Sequence, residues 1–415
     1  MNHIFRILAF VLVGLSLSAQ NESNSPYSRF GLGDLQSFST ATQSAMGGVG
    51  IASYDPISIN VNNPASYSSV FAQRFTMQTG GIHTTKLLKT STQNQVVNST
   101  NFNYLMFSFP LSKFWGTSVG LLPFSEKSYS FSDLSADPSA DLLFEGNGGL
   151  TRIYFGNSIN VNKNLSIGAN LNYLFGNLNS SRKVFFNDVS VFNTKINEDI
   201  NINGFYYDFG LIYKAKLGKW NSVLGFTMDD GREISVDKTS LIETFRSGGE
   251  FELIEDTISF DQQLGGSLKL PTSMGFGLAI SNEQWKIMAD YKSDNWEEYS
   301  LFGVNDDLEN SSRFALGFEF VPDKKSINRY YKMIRYRLGT YSSKTYLNLK
   351  NQQLDEKAIT LGFGLPLKRS GSLLNLSAEL GQMGTTDDGL IQESFARFKI
   401  GFIFSDIWFI KRKYD

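Results

Sequence analysis

The sequence predicts an all-β fold, a transmembrane antiparallel β-barrel of about 14 strands with an N-terminal plug, and three observations predict it. From about Val70 onward, segments of roughly 10–18 residues alternate apolar and polar side chains, the period of a strand with two different faces. The connections between those segments alternate short and long, as in barrels that span an outer membrane. Nowhere after the first residues are there the ~20 consecutive apolar residues that a membrane helix needs.

Residues 1–20 read as a secretory signal. Arg6 supplies the positive start, Ile7 to Leu15 the apolar stretch, and Ser16-Leu17-Ser18-Ala19-Gln20 the small residues for cleavage after Ala19 or Gln20. The apolar stretch is too short to cross ~30 Å of hydrocarbon at ~1.5 Å per residue. The chain has 415 residues and no cysteine, which excludes a lipid-anchored N-terminal Cys and a disulfide-stapled fold.

Residues 21–69 form the plug or hatch in this reading, and 70–415 the barrel. The plug region is rich in Ser, Gly, Ala and Asn, with one short helix expected near Ser39 to Ala45. The strands are expected at about 71–88, 95–111, 115–131, 147–161, 164–180, 198–216, 219–235, 264–282, 284–300, 310–321, 330–347, 355–366, 371–384 and 391–405, an even number, as bacterial barrels require. Their faces are distinct. Ile167, Ala169, Leu171 and Tyr173 oppose Ser166, Gly168, Asn170 and Asn172; Phe398, Ile400, Phe402 and Phe404 oppose Arg397, Lys399 and Gly401. Short turns are expected near Ser112-Lys113, Asn162-Lys163, Leu217-Gly218, Asn282-Glu283 and Lys368-Arg369, and long loops at about 132–146, 181–197, 236–263 and 301–309. The tryptophans Trp115, Trp220, Trp285, Trp296 and Trp408 lie near strand ends, where interface girdles form, and Lys411-Arg412-Lys413 reads as a basic tail anchor.

Asp208, Lys286, Asp290, Glu319, Arg335, Arg337, Glu379, Arg397 and Lys399 fall opposite the apolar faces. Arg or Lys facing acyl chains near the midplane costs about 2–4 kcal/mol, so these charges are expected in the lumen. There they either pair with one another and the plug, or line a polar path. The doublets Asp229-Asp230, Asp306-Asp307 and Asp387-Asp388 read as solvated loop tips, without the spacing of a calcium loop.

Enzymatic classes find little support. Histidine occurs only at His3 and His83, no nucleophile motif accompanies His83, and there is no phosphate- or dinucleotide-binding glycine motif. No metal or other cofactor is expected. A net charge of −2 gives no basis for binding nucleic acid.

The run Ala45-Met46-Gly47-Gly48-Val49-Gly50-Ile51-Ala52, then Asp55, then Asn63-Pro64-Ala65, resembles the plug of the long-chain fatty-acid outer-membrane transporter family, the FadL type. In that family a glycine-rich start leads through an acidic residue to an Asn-Pro-Ala motif just before the first strand. Leu270-Pro271-Thr272-Ser273-Met274-Gly275-Phe276-Gly277, with Trp285, Ala289-Asp290-Tyr291 and Trp296, and Arg335-Tyr336-Arg337-Leu338-Gly339 are also similar to it. Ser25 to Asp34 is similar to the Bacteroidota branch. The resemblance implies a monomeric fourteen-stranded barrel in the cell outer membrane, with a hatch, passing hydrophobic small molecules such as fatty acids. It gives Asn63-Pro64-Ala65 the role of a hatch hinge, where residue chemistry alone gives a turn before strand one. Two departures stand out: this plug is polar, and the family's ligand pocket has no residue-by-residue match here. Relatives in this branch also act in secretion or as subunits of larger machines. Two functions therefore remain from sequence. One is a channel with membrane lipid and a hydrophobic ligand as partners. The other is a non-catalytic subunit of an outer-membrane secretion or assembly complex, docking through its long loops.

Overall fold

The computed structural model describes residues 25–36, 38–70, 74–134, 140–188, 190–248, 251–326, 328–367 and 371–407. The signal segment, Trp408, the basic tail and the turn at Lys368-Arg369 lie outside them.

Fourteen antiparallel staves close into one sheet. They are β1 (Arg74–Lys89), β2 (Asn94–Pro110), β3 (Trp115–Glu126, resuming as Tyr129–Leu134), β4 (Ala140–Asn160), β5 (Leu165–Phe186) and β6 (Asn193–Leu217). Then come β7 (Trp220–Asp230 and Glu233–Gly248), β8 (Phe251–Lys269 and Thr272–Ser281), β9 (Trp285–Asn295, with Ser300–Leu301 beyond it) and β10 (Ser311–Phe320). The last are β11 (Arg335–Leu349), β12 (Gln352–Pro366), β13 (Leu373–Met383) and β14 (Gln392–Ile407). Closure is by β14 on β1, paired continuously from Gln392↔Lys89 to Ile407↔Arg74. Lipid offers the backbone no hydrogen-bond partner, so a sheet in hydrocarbon must leave no edge.

The alternation in the sequence becomes an inner and an outer wall. Phe398 and Ile400 are 53% and 57% exposed on the outside, whereas Lys399 between them is buried. Ile167 and Leu171 face out, while Ser166, Asn170 and Asn172 are buried inside. Trp115, Trp220 and Trp285 are exposed at the short-turn end of the apolar belt. Trp296 departs from the girdle expectation. A 3-10 turn at Trp296–Glu298 folds its ring inward, where it stacks on Tyr346 at 4.6 Å between centroids.

Several expected long loops are strands instead. The segment 236–263 is the greater part of a hairpin formed by Glu233–Gly248 and Phe251–Lys269, and 181–197 is the tip of the β5–β6 hairpin. Their residues alternate less cleanly because both faces meet water above the membrane, so the hydrophobic pattern fades while the pairing continues. Asp229 and Asp230 end the first segment of β7 rather than a loop tip, with Asp229 opposite Asp208 in register. Asp306, Asp307 and Asp387 do lie in connections.

Inside the barrel, residues 25–36 and 38–70 run from the long-loop end to the short-turn end. A 3-10 helix (Pro26–Arg29), a two-residue strand (Asp34–Leu35), one α-helical turn (Ala41–Ser44) and a second 3-10 helix (Pro64–Ser69) are joined by tight turns. At the long-loop end Tyr27 and Leu32 pack with Leu150, Leu174, Tyr206, Ile234 and Trp296 of the wall. At the other end Ile59, Val61 and Tyr67 pack with Met106 and Tyr154.

Ile400→Arg should lower the folding stability of the barrel in lipid vesicles by about 2–4 kcal/mol, read from reversible urea titration, because the side chain lies between Phe398 and Phe404 in the lipid-facing belt.

Candidate functional site: a filled lumen and a slot in the wall

The lumen-facing residues fix the N-terminal segment by backbone contact. Thr40 caps the α-helical turn, accepting from the Gln43 N–H while the Gln43 side chain accepts from the Thr40 N–H, a capping box. The chain then reverses through Gly47 and Gly48, with φ of 71° and 84°, in the left-handed region that favours glycine. Gly47 N–H donates to Thr360 Oγ1 at 2.8 Å, and its carbonyl accepts from Arg313 at 3.0 Å. Asp290 receives the N–H groups of Gly50 and Ile51 on one carboxylate oxygen, at 2.6 and 2.9 Å.

Such contact requires the wall to withdraw. A Cβ on Gly339 would lie 2.2 Å from Gly47 N, one on Gly225 2.1 Å from Ile51 O, and one on Gly116 2.1 Å from Tyr67 O. Glycines 168, 210, 277 and 317 meet the segment in the same way. A ring of inward glycines near the short-turn end is therefore the seat of the N-terminal segment.

Asn63 is fully buried in this seat. Its side-chain oxygen accepts from Ala65 N–H at 3.1 Å, and its amide donates to Ile51 O at 2.7 Å and Leu211 O at 3.2 Å. Pro64 opens the second 3-10 helix, and Ala65 O accepts from Ser158 at 2.7 Å. Met46 packs with Ala315 and Tyr341. Asp55 meets Arg335 at 3.4 Å.

The inward charges are matched. Arg337 pairs with Glu319 at 2.8 Å and donates to Asn375 at 2.7 Å; Arg335 lies 3.7 Å from Glu319. Lys286 faces Glu319 across the β9–β10 pair. Arg397 pairs with Glu379 at 2.7 Å and Glu356 at 3.1 Å, and Glu379 accepts from Ser44 at 3.2 Å. Lys399 donates to Ser39 Oγ at 2.8 Å. Asp208 lies 4.0 Å from Arg152 and accepts from Asn170 at 3.3 Å. The partners Lys86, Glu393, Glu356, Arg313 and Arg152 were not singled out from sequence, although their polar parity within the strands places them inside. Asp34 had no such signal, because it lies in irregular chain. His83 faces outward beside Thr100, 2.7 Å away.

Within the apolar belt, the pairing of neighbouring staves breaks off between β2 and β3, among the described residues. β2 and β3 pair only from Pro110↔Gly116 to Leu105↔Leu121. Beyond Leu105, β2 continues to Asn94 with a partner on the β1 side only, among the described residues. A register shift at Pro123–Ser125 bends β3 toward the lumen. There its free edge is taken by the N-terminal segment: Asp34↔Glu126 and Leu35↔Ser125 pair, and Gln36 N–H donates to Phe124 O at 3.0 Å. A slot is left between β2 and β3. Phe102, 53% exposed, forms its outer lip, and Asn101 crosses it to Glu126 at 3.0 Å.

Two cavities meet behind the slot along Asp34, Leu35 and Gln36. The first, about 460 Å³, opens at the slot and is lined by Lys86, Asn101, Asn103, Glu126, Glu379 and Arg397. Lys86, buried, holds Asp34 at 3.1 Å and Glu393 at 3.3 Å, and Glu393 also accepts from Ser25. The second, about 360 Å³, is lined in its apolar part by Phe38, Phe124, Tyr206, Leu270, Trp296 and Tyr346. Nearby, burial pushes the Tyr27 phenol up to about 12, so it stays neutral. It donates to Ile391 O at 2.7 Å and accepts from Ile391 N–H at 2.8 Å.

The family model BamG matches residues 1–415. The chain belongs to the BamG family. No curated protein matches it. Among solved structures it is similar to the CymD monoaromatic hydrocarbon channel, at 13% identity and a TM-score of 0.60 over 91% of this chain and 99% of that one. The Pseudomonas putida toluene transporter TodX matches at 16% identity and 0.58, over 91% and 100%. The Ralstonia pickettii toluene transporter TbuX matches at 14% and 0.60, over 89% and 98%. At these identities the likeness establishes that this BamG family member shares their barrel fold.

Gly339→Val should unseat the N-terminal segment, since its side chain would occupy the space of the Gly47 and Met46 backbone. The expected result is a higher single-channel conductance in planar bilayers and faster proteolysis within residues 25–70, with the barrel still resistant.

Proposed function

We propose that this BamG family member is an outer-membrane channel that passes hydrophobic small molecules, fatty acids among them, sideways between its lumen and the bilayer. The observation that carries this reading is the slot between β2 and β3. It begins beside Leu105, within the apolar belt, and leads to a cavity that continues into a second one with an aromatic part. The aromatic walls of the second cavity suit a hydrocarbon body. The polar lining at the slot suits a ligand with a polar end. In this reading the N-terminal segment closes the short-turn end as a plug, and short turns, which face the periplasm in outer-membrane barrels, support a periplasmic position for that end. Passage by this route needs no opening of the whole plug, only parting of Asn101 from Glu126. The nine inward charges act in this reading as fasteners of plug and wall, with Asn63-Pro64-Ala65 as the bottom hinge of the hatch.

A second reading, a non-catalytic subunit of an outer-membrane secretion or assembly complex, is favoured by the sheet arm of β7 and β8 that projects beyond the belt. The two uses occupy different parts of the molecule.

The slot is testable because the chain has no native cysteine. With Asn101→Cys and Glu126→Cys joined by a short bis-thiol-reactive reagent, uptake of a fluorescent long-chain fatty acid by cells relying on this protein should fall at least tenfold. Each single variant treated alike should retain uptake. Unchanged uptake after verified bridging would sink the lateral route.

A further inference from the structure

The second segment of β7 (Glu233–Gly248) and the first of β8 (Phe251–Lys269) form an arm beyond the breaks at Gly231–Arg232 and Leu270–Pro271. At about 3.3 Å per residue, its strands reach on the order of 50 Å. On one side the arm is anchored, β7 pairing with β6 from Ser235↔Asn203 to Phe245↔Asn193. On the other side β8 is an edge. Only Ser267, Leu268 and Lys269 find a backbone partner there, in Ser300–Phe302, among the described residues. From Phe251 to Gly265 every residue is exposed, including Phe251 at 74%, Phe260 at 64% and Leu264 at 65%.

The two faces of this edge differ. Cross-strand partners share a face. Asp256 and Asp261 lie opposite Thr244 and Ser240, whereas Ile254 and Phe260 lie opposite Phe245 and Leu241. Asp256 and Asp261 therefore share one face with Phe251 and Leu253, which lie opposite Gly248 and Arg246, while Ile254 and Phe260 share the other with Glu252, which lies opposite Ser247. Phe251 to Ser267 contains no Lys or Arg. Glu252 is matched by Lys183 and Lys195, and Glu255 by Arg246. Asp256 and Asp261 have no cation at ion-pair distance among the described residues.

An exposed edge with large apolar residues is a template for pairing. A second copy is a poor occupant, because two such edges would set carboxylates against carboxylates, and the register shifts at Glu255 and Ile258 spoil self-matching. We infer that the β8 edge from Phe251 to Leu264 is a docking strand for an extended segment of a different protein, one that alternates apolar and basic side chains. The inference rests on the complex-subunit reading and gives it a physical form; it does not depend on passage through the slot.

The test uses the full-length protein in detergent micelles and a fluorescent ten-residue peptide of alternating valine and lysine. The peptide should bind, and Asp256→Lys with Asp261→Lys, a change of two exposed side chains, should weaken it at least tenfold. Methylating alternate backbone nitrogens of the peptide should weaken it equally, because strand pairing needs those N–H groups. Equal binding of the methylated peptide would mean that charge alone attracts it and would overturn the docking strand. So would binding indifferent to the double variant, or a dimer of the chain that the double variant dissociates. In native membranes the wild type should migrate in a complex that the double variant loses. A wild type that migrates alone overturns the subunit reading and this inference together. A complex that survives the double variant overturns the edge and leaves the subunit reading standing.

Discussion

Everything in this molecule follows from the need of a backbone in hydrocarbon to find its hydrogen bonds within the chain. A helix satisfies that need locally, and no helix of the described residues is long and apolar enough to cross a membrane. Strands satisfy it only by closing, and β14 pairs with β1 along their whole lengths. The slot between β2 and β3 is the informative departure. Where β3 leaves β2, its edge is not abandoned to lipid; it turns inward and is completed by Asp34–Leu35. The N-terminal segment is thus part of the wall's hydrogen bonding as well as an occupant of the lumen.

The same logic governs the seat at the other end. A polar segment inside a narrow barrel must have its own amides satisfied, and Asp290, Thr360 and Arg313 supply partners to the turn at Gly47–Ile51. Those groups reach it only because the wall carries glycine at the points of contact. Buried charges are held on the same terms. Arg337 is matched by Glu319 and Asn375, and removing one partner of such a pair typically costs about 3–5 kcal/mol because the other is left buried and uncompensated. Replacing pairs by apolar residues is often neutral, so the charges specify the fit of segment to wall more than they add stability.

The fold was legible because its main determinant is local. Period-two alternation set the inner and outer faces, which is why Ile400 and Lys399 could be placed on opposite sides from sequence. Strand ends were less legible. Above the belt no hydrophobic contrast marks the pairing, and so the β7–β8 arm read as a loop. Trp296 read as an interface residue because its neighbours gave no sign of the 3-10 turn that points it inward. At the site, residues with a strand parity, such as Glu319 and Arg397, could be placed in the lumen, but their partners could not be chosen, since pairing across the barrel depends on register. Asp34 and Asn101 were invisible for a related reason. Their importance comes from a missing ladder, and a missing ladder leaves no periodic trace.

The slot and the arm, five staves apart, share one support. Residues 25–35 complete the edge of β3 at Asp34–Leu35, while Tyr27 and Leu32 lie in the cluster that includes Ile234 and Leu268 at the root of the arm. Gly31 N–H donates to Asp306 at 3.2 Å, in the connection that runs beside that root. Withdrawing this short segment from β3 would strip apolar cover from the arm's base, and tilting the arm would disturb the segment's hold on β3. The packing therefore makes the slot, the N-terminal segment and the root of the arm one mechanical unit, held at the slot by the Lys86–Asp34–Glu393 cluster and at the arm by apolar contact and the Gly31–Asp306 hydrogen bond.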